Sequence, residues 1–104
     1  MIDQRQHIIG KYTPFDFETI TVASLAIGLT ASKLASSPKP KRAFITFETA
    51  QCRMRMDGTD PTDTVGHLYN PTQSLLLEGH SQLNNVRWIR TGTTSAVLQV
   101  TYLR

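Results

Sequence analysis

The sequence predicts an all-β fold, a small antiparallel β-sandwich of Ig-like or jelly-roll-like kind, preceded by an extended N-terminal arm. Three observations point there. Charged residues make up only 18% of the 104, a low share for a helical protein, and β-branched residues dominate the apolar runs, as they do where side chains fit a pleated, half-buried surface. Period-two alternation recurs, in Cys52-Arg53-Met54-Arg55-Met56-Asp57 and in Ala96-Val97-Leu98-Gln99-Val100-Thr101-Tyr102, which marks strands with one buried face. Clusters of Gly, Pro, Asp and Thr separate these runs at short intervals. A chain of this length forms one domain with a real core and no deep, separately walled cleft. The reading divides it into an arm over 1–18 and a sandwich over 19–104.

Taken in order, residues 1–18 show neither periodicity, and Gly10 and Pro14 interrupt the apolar pairs. Ile8, Ile9, Tyr12, Phe15 and Phe17 are nonetheless too apolar for a free tail, so the arm lies on something, either as an extra edge strand on its own sheet or on a neighbouring subunit. Thr19–Thr30 reads as a strand; its Ala and Leu content would also allow a helix over Val22–Leu34, but no clear cap opens one and Gly28 weakens it. Ser36-Ser37-Pro38-Lys39-Pro40 is an exposed loop. Arg42–Thr49 is a strand, expected to pair with Cys52–Met56 through a reversal at Ala50-Gln51. Asp57-Gly58-Thr59-Asp60-Pro61 then forms a corner: Gly58 tolerates positive φ, Asp60 can bond the backbone two residues on, and Pro61 fixes its own φ. Val65–Pro71 is a connection or short edge strand, Ser74–Gly79 a strand and His80–Gln82 a reversal. Asn85–Arg90 and Ser95–Leu103 are expected to close a hairpin across Thr91–Thr94.

Charge narrows the function classes. A net charge of +3 and a pI near 9.4 are too weak to call for nucleic acid. Lys33, Lys39, Lys41 and Arg42 gather in and beside the Pro-rich loop, either as a solvated connection or as contacts to an acidic partner. No run approaches the roughly 18 apolar residues of a membrane span, and Met1–His7 has no signal-like core, so the chain reads as a cytosolic product. Cys52 is the lone cysteine and reads as a small inward hydrophobe.

Candidate chemistry is sparse. Asp57, Asp60 and Asp63 recur every third residue, but a calcium loop places oxygens at alternate positions and ends on a bidentate Glu; the aspartates read as turn caps and no metal is expected. His7, His67 and His80 lack partners at ligand spacing. There is no Gly-x-Ser-x-Gly elbow, phosphate loop or dinucleotide fingerprint, so neither catalysis nor a cofactor is expected. Arg53, Arg55, Arg87 and Arg90 could read anionic groups only if they shared one sheet face. Trp88, flanked by Val86 and Ile89, reads as core in preference to a sugar platform.

Two resemblances accompany these residues. Met54-Arg55-Met56-Asp57-Gly58-Thr59-Asp60-Pro61-Thr62 is similar to the strand and corner of the Ig-like C-terminal domain of chitobiase-type glycosidases, which implies a sandwich. Over residues 17–104, Phe17–Val22, Lys41–Ala50, Asp57–Thr62, Val65–His67 and Arg90–Tyr102 resemble small proteins encoded among the structural genes of tailed bacteriophages. That resemblance implies a virion component made in the host cytoplasm, and the expectation is a capsid decoration or cement protein. Ile8, Ile9, Tyr12, Phe15 and Phe17 would dock it on the major capsid protein or another virion protein, Lys33, Lys39, Lys41 and Arg42 would steer it toward an acidic shell, and Asp57, Gly58, Asp60 and Pro61 would form a structural corner. A homo-oligomer, guessed as a trimer, is expected. Neck, tail or fibre attachment is the alternative in the same class, and a glycan-binding module using the corner loop with Tyr69 or Trp88 is the alternative from another.

Overall fold

A computed structural model describes residues 12–104 as β1 (Pro14–Val22), α1 (Ala31–Leu34), β2 (Arg42–Glu48), β3 (Cys52–Arg55), β4 (His67–Tyr69), β5 (Ser74–Glu78), α2 (His80–Asn85), β6 (Arg87–Arg90) and β7 (Ala96–Leu103). The strands form a four-stranded sheet of order β1-β7-β2-β5 and a three-stranded sheet of order β4-β3-β6, with all pairings antiparallel. This is the all-β sandwich that the alternation predicts.

The interior is built from one face of each sheet. Val22, Ile20, Ala43, Ile45, Phe47, Leu77, Ala96, Leu98, Val100 and Tyr102 come from the large sheet, and Cys52, Met54 and Trp88 from the small one. Leu29, Leu34, Leu83 and Val86 seal one side of the same cluster. The Phe47 and Tyr69 rings stack across the gap between sheets, 4.6 Å apart and 12° from parallel, an arrangement worth about 1 kcal/mol beyond the area it buries.

Several expected connections are corrected. The arm boundary moves: of its two readings, the extra edge strand on the same sheet holds for residues 14–18, which are the first half of β1 and whose pairing with β7 continues to Thr13 and Arg104. The run from Thr19 does not continue as a strand to Thr30: it ends at Val22, and residues 23–27 cross to the small sheet. There Arg90 donates to the Ala23 carbonyl at 3.1 Å, and Ile27 and Trp88 exchange bonds of 2.9 and 2.8 Å. The helix weighed for Val22–Leu34 reduces to the single turn of α1.

Nor do β2 and β3 pair. Thr49 sits at φ 77°, and the Ala50 N–H donates to the Glu48 carbonyl at 2.9 Å. This strained three-residue turn lifts the chain out of the large sheet and delivers Cys52 to the small one. Likewise β6 pairs with β3 while β7 lies between β1 and β2, so residues 91–95 bridge the sheets instead of closing a hairpin. Alternation reveals which face of a strand is buried, not which strand lies beside it. The reversal expected at His80–Gln82 is the start of α2, which buries Leu83.

The corner loop depends on a second glycine. Gly66 has φ 137°, and a Cβ there would stand 3.1 Å from the Met54 carbonyl, 3.2 Å from the Arg53 Cβ and 3.2 Å from the Pro61 Cβ, whereas Gly58, at φ 85°, faces open space. Gly58→Ala should therefore cost about 1–2 kcal/mol, the ordinary left-handed penalty, and Gly66→Ala about 2–4 kcal/mol, from backbone strain plus overpacking. Urea unfolding midpoints measure both, and equal losses would contradict the packing role of Gly66.

Candidate functional site

The outer face of the large sheet is where the expected docking residues lead. Register places Phe17, Thr101, Phe44 and Leu76 opposite one another in a row across all four strands, and residues directly opposite share a face. The next row is Thr19, Gln99, Thr46 and Ser74, with the Thr19 hydroxyl donating to Gln99 Oε1 at 2.7 Å. A row of three apolar side chains and Thr101 thus runs beside a wholly polar one. Phe17 is 53% exposed at the β1 edge of that row.

The other docking residues divide. Ile8 and Ile9 lie outside the described residues. Tyr12 is half-buried beneath the Arg42 guanidinium, which sits 4.0 Å from the ring centroid and donates to the phenol oxygen at 3.2 Å. Phe15 packs against the core cluster with Arg104 over its ring at 4.2 Å. Both rings are therefore held within the domain, and among the described docking residues Phe17 alone is classed as exposed.

The basic set divides as well. Lys33 Nζ lies 3.1 Å from both carboxylate oxygens of Asp16, and Arg42 reaches Glu78 at 2.8 Å; these two cations have acidic partners inside the fold. Lys39 and Lys41 are exposed. Asp16 and Glu18 project from the inward-facing side of β1, at the open end of the sandwich. Glu18 accepts the Tyr102 hydroxyl, the Thr30 hydroxyl and, at 3.2 Å, the Thr30 N–H, so it ties the segment entering α1 to β1 and β7. Burial and the neighbouring Glu18 raise the Tyr102 phenol far above its ordinary value.

At the corner, Asp57 and Gly58 turn the chain as expected, Asp60 is exposed and Pro61 is buried. Asp57 caps the turn, its Oδ1 accepting from the Thr59 N–H at 3.4 Å, and further on Thr62 acts in place of Asp60: its Oγ1 accepts from the Val65 N–H at 3.0 Å and the Thr64 N–H at 3.3 Å. Arg53 anchors the loop from below, donating to the Gly66 and Asp63 carbonyls at 3.0 and 3.3 Å, and Arg55 is paired with Asp57, Nε to Oδ1 at 3.0 Å. The sequence makes anion reading conditional on a shared sheet face; register puts Arg55 opposite Arg87 with Arg53 on the same side of the small sheet, but the loop backbone and Asp57 occupy Arg53 and Arg55. Trp88 is fully buried and so offers no sugar platform, while Tyr69 is half-buried with one ring face stacked on Phe47. Among the described residues no three His, Cys, Asp or Glu side chains come together as metal ligands.

One concavity escaped the sequence reading altogether. A cleft of about 290 Å³ opens between α1 and α2, lined by Leu29, Ala31, Leu34, Ala35, Lys39, His80, Asn84 and Arg87. Lys39 lies more than forty residues from His80 and Arg87 in the chain, and the fold brings the three together on one cleft. Comparison with protein-family models, with curated proteins and with solved structures gives no match.

Two expected outcomes follow from the ionisable groups. The Phe17 N–H and then the Lys33 ammonium hold the Asp16 carboxyl below its ordinary 3.8. A depressed carboxylate stabilises the fold above its unfolded value, and the contribution is lost as pH falls through the folded one. Melting temperature should therefore drop below about pH 4, and the drop should be shallower in Asp16→Asn; parallel curves for the two proteins would exclude the effect. Desolvation pushes the buried Cys52 thiol up to about 12, so the thiolate needed for reaction is absent at neutral pH. A disulfide reagent should label Cys52 only at the rate of unfolding, and immediate stoichiometric labelling of the native protein would show the opposite.

Proposed function

We propose that this chain is a non-enzymatic structural component of a tailed-phage virion, a decoration protein that binds the capsid exterior through its N-terminal segment and the β1 edge. The observation that supports this reading is the row on the outer face of the large sheet in which Phe17, Phe44 and Leu76 stand with Thr101, ending at the open edge with the exposed Phe17, on the strand that the N-terminal segment leads into. A face of this kind, repeated by symmetry, lets many modest contacts add up to tight attachment. Of the basic set Lys33, Lys39, Lys41 and Arg42, the exposed Lys39 and Lys41 are the ones left to meet an acidic shell. Neck, tail or fibre attachment would use the same surface at lower copy number.

Quantitative mass spectrometry of purified particles, against the major capsid protein, tests the proposal. A ratio near that of the capsid subunit is the expected result; a few copies per particle would move the protein to the neck or tail, and absence would remove it from the virion. Removal of residues 1–11 leaves β1 whole, so the shortened chain should keep its unfolding midpoint and lose particle binding. Phe17→Ser should weaken that binding with less than about 1 kcal/mol of lost stability, the usual range for an exposed site.

A further inference from the structure

The cleft between α1 and α2 has the make-up of a binding site for an organic anion. Its floor is apolar, from the buried Leu29 and Leu34, and its rim carries Lys39, His80, Asn84 and Arg87 with no carboxylate among the lining residues. Elsewhere in the described fold the basic residues Lys33, Arg42 and Arg55 have acidic partners. Here two permanent cations and a histidine line one concavity without such a partner, and a concave low-dielectric wall concentrates their field.

Arg87 is also fixed in place. Its Nη1 donates to the Val86 carbonyl at 2.7 Å and the Asn84 carbonyl at 3.0 Å. The guanidinium lies so close over Gly28 that a Cβ there would stand 2.5 Å from Nη1. With Nη1 occupied by backbone oxygens, Nε and Nη2 remain as a donor edge of fixed orientation, the geometry that suits a two-oxygen acceptor. A guanidinium held before the ligand arrives loses little freedom on binding.

We infer that this cleft binds a carboxylate or phosphate carried on an apolar body, the oxyanion on Arg87 and Lys39 and the body over Leu29 and Leu34. Titration of the full chain with phenyl phosphate and with inorganic phosphate, followed by backbone amide shifts in NMR, tests the assignment. Saturable shifts should centre on Leu29, Ala31, Asn84 and Arg87, with phenyl phosphate about tenfold tighter than phosphate, the equivalent of about 1.4 kcal/mol. Lys39→Ala should weaken binding about two- to fivefold, as befits an exposed charge pair, while Lys41→Ala, outside the cleft, should leave it unchanged. Shifts scattered over all basic side chains, equal affinity for the two probes, or equal loss in the Lys39 and Lys41 variants would overturn the site. Phenyl phosphonate and benzoate, run alongside, separate a preference for phosphoryl oxygens from one for carboxylate.

Discussion

The fold rests on one shared interior, the layer between the inward faces of the two sheets. Trp88 and Met54, opposite each other on the small sheet, belong to the same cluster as Ile45, Phe47, Leu98 and Val100 of the large sheet. Several strands that follow one another in sequence reach this layer from opposite sides. β2 leads to β3 and β6 to β7 by crossing between sheets, and residues 23–27 do the same after β1. No sheet can form its buried face alone, because each lacks the other's side chains to exclude water. The Thr49 turn, the Gly66 crowding and the Glu18 bonds to Tyr102 and Thr30 hold those crossings in position.

The sequence discloses these faces well and the neighbours poorly. Alternation in β3 and β7 puts Cys52, Met54, Ala96, Leu98, Val100 and Tyr102 on inward faces, and all are buried; Met56, two residues on from Met54, is exposed because β3 ends at Arg55. Pairing is another matter. Ala50-Gln51 contains no favoured turn former, which is the residue-level trace of a connection that is not a hairpin; the strained centre is Thr49, whose identity gives no warning of its positive φ. Residues 14–18, for which an edge strand is one of two readings, show no clean strand pattern because Asp16 and Glu18 stand on its inward side, where apolar residues are expected. At the open end of the sandwich their partners are Lys33, Tyr102 and Thr30, so a polar residue on the inner face incurs no desolvation without compensation.

The candidate surfaces show the same division. The apolar residues near the N-terminus read in sequence as candidates for docking, yet Tyr12 and Phe15 are taken up by Arg42, Arg104 and the core, which only the folded arrangement reveals. The Lys33–Arg42 cluster reads as one basic patch in sequence; in space Asp16 and Glu78 partner its two ends, and Lys39 faces a cleft with His80 and Arg87. Linear proximity of like charges is thus a poor guide to which of them meet a ligand, because their partners come from other strands.

The position of β7 sets the order in which the molecule can be assembled. This last strand is not an edge but the second of four, hydrogen-bonded to β1 on one side and β2 on the other. Until it is made, β1 has no neighbour in its sheet, and the β2–β5 pair lacks a flank. The chain must also close its longest loop to bring Pro14 opposite Leu103. Pairings of such wide sequence separation fold slowly, since loop entropy is lost before the contacts form. An emerging polypeptide would therefore hold two incomplete strand groups with open edges until residues 96–104 leave the ribosome, and completion of the large sheet is the step on which its solubility during synthesis depends.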